Sequence, residues 1–205
     1  MATAPTPIIF VPECHADTAL MLTLLGENRP ELRATAAARQ HLRSLVDHEQ
    51  GIGNVGNKMR LQQREFGATR RVVGLVDLDA KFSQHTYLRE FTTLLDGYRQ
   101  RGQGDFALLQ HATAPHHCLI AINPAFEKWL QARAAELGKT LDDFGLPTDF
   151  KLLKRYCKKE EAEYDPRLRA LLDAIAAANF PVYCSLAEFV VQVMNLAMPL
   201  PIAGQ

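Results

Sequence analysis

The stretch Arg71-Val72-Val73-Gly74-Leu75-Val76-Asp77-Leu78-Asp79-Ala80 decides how the rest of the sequence is interpreted. Residues 72–76 are apolar, rich in β-branched side chains and without polar alternation, which is typical of a strand buried on both faces. Asp77 and Asp79 follow two residues apart, so an extended chain points both side chains the same way. Converging carboxylates at the carboxyl edge of an α/β sheet favour a divalent cation such as Mg2+. The alternative is a solvated turn, because Asp is also common in turns.

A second apolar run precedes this strand in the chain and also ends in an acid. Residues 7–12 lead into Glu13, and residues 16–25 then have helical character, which together predict the opening of a βαβ unit. Asp17 lies in the first turn of that helix, where the helix dipole alone would favour an anion. If the two strands are parallel neighbours, Glu13, Asp77 and Asp79 meet at one edge, where they could hold one or two Mg2+ ions.

Alternating strands and helices over residues 7–122 predict an α/β fold with a Rossmann-like, mostly parallel open sheet. The pattern predicts helices over residues 30–43, 58–66 and 86–100, a weak strand over 44–48, and strands over 105–111 and 117–122. Three glycines in residues 51–57 match no phosphate-loop spacing and indicate a flexible connector. Lys58 and Arg60, close to that connector, are nevertheless candidates for contact with the phosphates of a nucleic acid.

The chain after residue 122 is predicted to be helical. Asn123 is the expected N-cap of a helix that begins with Pro124 and Ala125. Further helices are predicted over residues 148–159 and 167–178, and a last one opens at residues 185–188. We therefore divide the sequence into an α/β core over 7–130 and a helical extension, 131–205, packed on that core.

Composition limits the classes of function. Among the 205 residues, Lys plus Arg and Asp plus Glu are both 23, so a nucleic-acid partner would need a local basic patch, for which Lys151, Lys154 and Arg155 are candidates. The four cysteines form no C-x-x-C pair, which predicts reduced thiols and a cytoplasmic location. No apolar run approaches the roughly 20 residues that span a bilayer, so no membrane partner is expected.

The segments IIFVPE (8–13) and VVGLVDLD (72–79) together resemble the TOPRIM fold of topoisomerases, primases and OLD-family nucleases. The resemblance implies that Glu13, Asp77 and Asp79 bind Mg2+ or Mn2+ for phosphoryl transfer on DNA or RNA. Asp17 matches an additional acid of the OLD-like nucleases. The segment INPAFEKWL (122–130) resembles one found in small defence-associated members, which makes Glu127 a further metal or supporting acid. Lys151 or Lys154 would supply a cation to the transition state.

The resemblance also implies a biological setting: small members often act in bacterial defence against phage, sometimes with a separately encoded ATPase. Cys14 stands where the family usually has Gly after the Glu, so an idle TOPRIM-like binding or effector protein is the alternative to a nuclease. A nucleotidyl- or phosphotransferase is a weaker third hypothesis. The histidines 111, 116 and 117 are accompanied by no paired Cys or suitably spaced carboxylate, which disfavours a zinc site. Cys14 and His15 are adjacent in the chain, and because adjacent side chains rarely point at each other, a Cys–His nucleophile is also disfavoured. The apolar segment 189–201 could pack in the core or form a homo-oligomer.

Overall fold

The computed structural model describes residues 7–27, 36–79, 81–95 and 105–194. In this part of the chain five strands form one open sheet in the order β1-β2-β5-β4-β3. The strands are β1 (Ile8–Pro12), β2 (Arg71–Asp77), β3 (Phe91–Leu94), β4 (Phe106–His111) and β5 (His117–Ile122). The seven longer helices are α1 (His15–Glu27), α2 (Ala36–Ser44), α3 (Ile52–Phe66), α4 (Phe126–Glu136), α5 (Phe150–Cys157), α6 (Pro166–Ala177) and α7 (Pro181–Met194).

The sheet is mixed and partly parallel: β1, β2, β5 and β3 run in one direction, and β4 runs in the other. β1 pairs in parallel with β2 and β2 with β5, whereas β4 runs antiparallel to both β5 and β3. The reason is the short link from β4 to β5, residues 112–116, because a parallel neighbour would need a crossover of a dozen or more residues. The coarser prediction of an α/β fold with an open sheet is confirmed.

Both faces of the sheet are covered, as the apolar strands predict. On one face, Val73, Leu75 and Ile120 pack in a core shared with α1 and the C-terminal helices. On the other face, Val72, Val76 and Leu119 pack with residues of α3 and with Tyr87, Leu88 and Phe91. The C-terminal helices thus share the core of the sheet, while the division of the chain at residue 130 stays a prediction.

The predicted helix over residues 86–100 is wrong wherever the structure describes it. One 3-10 turn (Leu88–Glu90) leads directly into β3, and residues 96–100 lie outside the described part. Phe91 pairs with His111 of β4, and its side chain is buried with Tyr87 and Leu88. The spacing of apolar residues suited a helix, but long-range pairing with β4 decided the conformation.

The predicted connector over residues 51–57 is also wrong, because α3 already begins at Ile52. Gly51 precedes it with a φ of 88°, a value that suits glycine, whereas Gly53 and Gly56 lie inside the helix. The ring of His85 lies where a Cβ on Gly56 would be, so the absence of a side chain there permits this close packing. Sequence spacing alone does not report such an approach.

Three smaller corrections concern the ends of elements. Residues 44–48 do not form a continuous strand. Backbone hydrogen bonds nevertheless join Leu45, Asp47 and Glu49 to β1, and Val46 forms an isolated parallel β-bridge with Phe10. The helix expected at Asn123 begins at Phe126 instead, with Ala125 at the N-cap and a cis bond between Asn123 and Pro124. The last helix, α7, begins at Pro181, not at 185.

α7 also answers part of the question about the apolar C-terminal segment. Phe189, Val190 and Val193 are buried in the core of the chain itself, and residues 195–201 lie outside the described part.

Within the described ranges, no single helix has the length and apolar character to cross a membrane. Glu160–Ala177 and Pro181–Met194 meet that requirement only as a pair, with a bend of 95° between them.

We expect Gly74→Ala to lower the free energy of unfolding by about 1–3 kcal/mol. A Cβ at this position would lie 2.6 Å from Cδ1 of Leu119 and 2.7 Å from Sδ of Met59, both fully buried. Urea denaturation measures the change. The matched control is Gly53→Ala, where a Cβ meets nothing within 4 Å. This control should raise stability by up to about 1 kcal/mol, because alanine is the better helix former. Equal stability of Gly74→Ala and wild type would contradict the packing described.

Candidate functional site

The structure brings the ends of β1 and β2 together. The N–H of Glu13 donates to the carbonyl of Leu75 at 2.9 Å, which extends the parallel pairing by one residue beyond β1. The N–H of Asp77 donates in turn to Oε2 of Glu13 at 3.2 Å. The carboxylate of Glu13 therefore lies against the backbone of Asp77, at the carboxyl edge of the parallel half of the sheet.

Asp17 joins this edge from the first turn of α1. Its Oδ2 accepts a hydrogen bond from the N–H of Cys14 at 3.1 Å, the reciprocal half of a capping box. The side chain is buried, with 3% of Asp17 exposed. Capping alone explains an acid at this position, as the sequence allowed. The burial of that acid beside other carboxylates is not explained by capping.

Asp77 caps a helix that follows it by 49 residues in the chain. Its Oδ1 accepts a hydrogen bond from the N–H of Phe126, the first residue of α4, at 2.8 Å. This contact supplies the acceptor that Ala125, at the N-cap, lacks. It also brings Glu127 to the same place: Glu127 is 4% exposed, and its Oε2 is buried without a hydrogen-bond partner among the described residues.

We refer to Glu13, Asp17, Asp77, Asp79 and Glu127 as the acidic cluster. Burial, and then the negative charge of Glu13, raises the pKa of Asp77 to about 7. Burial, followed by the charges of Asp77 and Glu13, raises the pKa of Asp17 well above its usual range. Burial also raises the pKa of Glu13, although hydrogen bonds from the Asp77 and Ile52 amides oppose this. Near neutral pH the cluster therefore retains protons that isolated carboxyl groups would release.

Asp79 lies at the border of the acidic cluster. Its charge raises the pKa of both Glu13 and Asp77, while its Oδ1 accepts a hydrogen bond from the N–H of Lys81 at 2.8 Å. That bond is an Asx turn, so the turn that the sequence offered as an alternative is present. Asp79 therefore forms the turn and also lies close enough to Glu13 and Asp77 to raise their pKa values.

One lysine that acts on the acidic cluster is neither Lys151 nor Lys154, the two that the sequence indicated. The charge of Lys158, an exposed residue at the end of α5, lowers the pKa of Glu13. Lys151 is exposed in the first turn of the same helix, and in the described ranges no contact joins it to the acidic cluster. From the sequence, Lys158 could be predicted only as part of a basic helix. Its position beside Glu13 depends on where α5 ends, which the sequence does not show.

The other predicted phosphate contacts are placed away from the acidic cluster or are already paired. Lys58 forms an ion pair with Asp47, and its Nζ lies 3.8 Å from Oε1 of Glu49, so its charge is compensated. Arg60 is exposed and donates to Oδ1 of Asn57 at 3.3 Å. On α5, Lys154 is half-buried and Arg155 is exposed.

Two thiols line the acidic cluster and are poor nucleophiles. Burial, then the charge of Asp17, raises the pKa of Cys14. Burial, then the charge of Glu127, raises the pKa of Cys157. Because the thiolate is the reactive form, neither group is activated. His15 does not pair with Cys14: its Nδ1 lies 3.5 Å from Oε2 of Glu163, and its ring stacks on His48 with centroids 3.8 Å apart.

A cation site is compatible with the donor set but is not preformed. In residues 7–27, 36–79, 81–95 and 105–194, no three His, Cys, Asp or Glu side chains are arranged to hold a metal ion. The carboxylate oxygens of the acidic cluster are nevertheless the ligand type that Mg2+ and Mn2+ prefer. Oε2 of Glu127 is buried without a hydrogen-bond partner among the described residues, and burial together with neighbouring carboxylate charges raises the pKa values of Asp17 and Asp77.

The histidines considered for zinc are bound to other groups. Nδ1 of His117 contacts the Tyr87 hydroxyl at 2.8 Å, and Nε2 of His116 contacts Oε1 of Gln63. Burial lowers the pKa of His117 to about 3, which keeps this ring neutral. These side chains belong to the packing around β4 and β5.

Comparison with known proteins does not identify a relative. No protein-family model matches the chain, and searches of curated proteins and of solved structures find no match. The resemblance to the TOPRIM fold therefore stays a proposal, carried by the residues of β1, β2 and the acidic cluster.

We expect Asp77→Asn to be more stable than Asp77→Ala by about 1 kcal/mol, because asparagine keeps an oxygen for the N–H of Phe126. The wild type should lose stability relative to both variants as the pH rises from 4 towards 7. In that interval the native Asp77, with a pKa of about 7, holds a proton that the unfolded chain releases. The slope is at most about 1.4 kcal/mol per pH unit. Urea denaturation at several pH values measures both effects. Equal stability of the two variants would show that the cap contributes nothing.

Proposed function

We propose that this protein is a divalent-cation-dependent phosphodiesterase of the TOPRIM kind that acts on nucleic acid. The observation that carries the proposal is the acidic cluster itself, where half-buried carboxylates from two strand ends lie beside buried carboxylates from two helix starts. Burial, and then the charges of neighbouring carboxylates, raise the pKa values of Asp77 and Asp17. Carboxyl groups with raised pKa values that lie together favour a bound cation, and such groups are common at functional sites.

Glu13, Asp77 and Asp79 would hold the cation, Mg2+ or Mn2+, and Asp17 and Glu127 would complete its surroundings. When bound, such an ion polarises a phosphodiester and lowers the pKa of a water molecule. Lys158 would neutralise phosphate charge beside Glu13, the role expected from the sequence for Lys151 or Lys154. Lys151, Lys154 and Arg155 would extend that basic face along α5 for the nucleic-acid backbone, outside the acidic cluster.

One observation favours the alternative, an idle TOPRIM-like binding or effector protein. A backbone N–H group donates to one oxygen each of Glu13, Asp17 and Asp77, and the raised pKa values of Asp17 and Asp77 let these two acids keep protons near neutral pH, so the acidic cluster is tolerable without a cation. In that case the protein would act through a partner, such as a separately encoded ATPase, since the sequence carries no Walker motif.

We propose a cytoplasmic location and a role in defence against phage on the resemblance and on the cysteines. All four cysteines are free in the structure, including Cys14 and Cys157, which both lie beside the acidic cluster. Reduced thiols suit the cytoplasm.

Calorimetry with Mn2+ tests whether the acidic cluster binds a cation. The wild type should bind with release of protons, about one per cation at pH 6.5 and fewer at pH 8, because carboxyl groups must lose their protons to become ligands. Titrations in buffers of different ionisation enthalpy count these protons. Asp77→Asn, which keeps the cap of α4, should bind no Mn2+. Binding that Asp77→Asn leaves intact would place the cation elsewhere. Absence of binding by the wild type, with no cleavage of nucleic acid, would support the idle alternative.

Cleavage of labelled single- and double-stranded DNA and RNA in Mn2+ tests the proposed reaction. It also tests whether Lys158 or Lys151 supplies the positive charge. We expect Lys158→Ala to lower the rate by about tenfold to a hundredfold, because it removes a charge that faces the reacting phosphate. Lys151→Ala, on the first turn of the same helix, is the matched control and should lower the rate by no more than about threefold through weaker backbone binding. A larger loss in Lys151→Ala than in Lys158→Ala would restore the assignment made from sequence.

A further inference from the structure

A cavity lies along α1 and is lined by residues outside the acidic cluster. It has a volume of about 400 Å3 and is bounded by α1, α2, α6 and Tyr164. Its walls are largely apolar, with Ala19 and Leu22 on α1, Leu42 on α2 and Leu172 on α6. This volume and lining are in the range of cavities that bind small organic molecules.

One charged group in the wall is incompletely satisfied. Nη2 of Arg43 lies 2.9 Å from Oε1 and 3.2 Å from Oε2 of Glu163, whose side chain is buried. The Arg43 side chain lines the cavity and is 38% exposed, and its bonds to Glu163 use Nη2 alone. Nη1 is closed off from solvent, so the remaining exposed part of the guanidinium group is what a ligand could reach, and an anionic acceptor is the strongest partner for such a group.

The rim of the cavity narrows the chemistry further. The exposed Arg169 adds a second positive charge, whereas Asp173 and Glu163 bring two negative charges to the same lining. Because these charges cancel, the lining disfavours a highly charged ligand such as a polyphosphate. Tyr164, which is 66% exposed, offers an aromatic ring at the rim for stacking.

We propose that this cavity binds a small organic anion with an apolar, ring-containing body and a single acidic group, such as a carboxylate or sulfonate. The acidic group would bind the exposed part of the Arg43 guanidinium group, and the ring would lie between Leu22, Leu42 and Leu172. An inorganic anion alone would leave the apolar walls unused. This proposal does not depend on the proposed function, because its residues are not those of the acidic cluster.

Two fluorescent probes test the proposal on the full chain. 1-Anilinonaphthalene-8-sulfonate carries the required ring and acidic group, and N-phenyl-1-naphthylamine has the same ring system without the charge. We expect one molecule of the sulfonate to bind per chain. Arg43→Gln should raise the Kd of the sulfonate about tenfold, the expected effect of losing a charged hydrogen bond, and should change the Kd of the neutral probe less than about twofold.

Leu22→Trp is a second variant that leaves the ion pair of Arg43 and Glu163 intact and fills the cavity, so it should weaken both probes. It carries the test if Arg43→Gln does not fold. Leu152→Ser is the control, because Leu152 is an exposed apolar side chain on α5 that could attract such probes and is not in the cavity wall. Sulfonate binding that Leu22→Trp leaves unchanged, or that Leu152→Ser abolishes, would overturn the proposal. Failure of the wild type to bind either probe would overturn it too.

Discussion

The structure depends on backbone amides that meet buried carboxylates at one edge of the sheet. Phe126 at the start of α4 donates to Asp77, Cys14 before α1 donates to Asp17, and Ile52 at the start of α3 acts on Glu13. Helix N-termini carry partial positive charge, so each lowers the cost of burying its carboxylate. In return, each carboxylate fixes where a helix begins. The same acids that suggest chemistry therefore also join the sheet to three helices.

Much of this edge could be predicted from sequence, because the signals are local. Residues 72–76 and 8–12 are continuous apolar runs, and such runs form strands wherever both faces are covered. The acids that follow each run must then lie at the strand ends, and parallel pairing of β1 with β2 brings them together. Asp149 and Asp165 cap α5 and α6, and such N-caps depend on only a few neighbouring residues.

The rest depended on contacts between distant residues. Phe91 lies in a strand because β4 is beside it, and nothing in residues 86–95 themselves excludes a helix. Gly56 reads as a loop signal until the ring of His85 is seen against the backbone. Lys158 and Lys151 differ little in sequence context, and only the position of α5 separates them. Electrostatic roles follow from the fold, so they are the last features that a sequence can indicate.

The backbone of residues 45–49 has a consequence for the behaviour of the protein in a crowded solution. β1 is the outermost strand on its side, and an outermost strand with free N–H and C=O groups can pair with a strand of another molecule. Leu45, Asp47 and Glu49 occupy the groups of Phe10 and Pro12 that such a strand would use. On the opposite side β3 spans only Phe91–Leu94, with an irregularity after Phe91, and so offers a short template. Both edges of the sheet are therefore protected against the addition of a strand from another molecule. Residues 45–49 cover the edge at β1, and at the other edge β3 is too short to pair with a long strand.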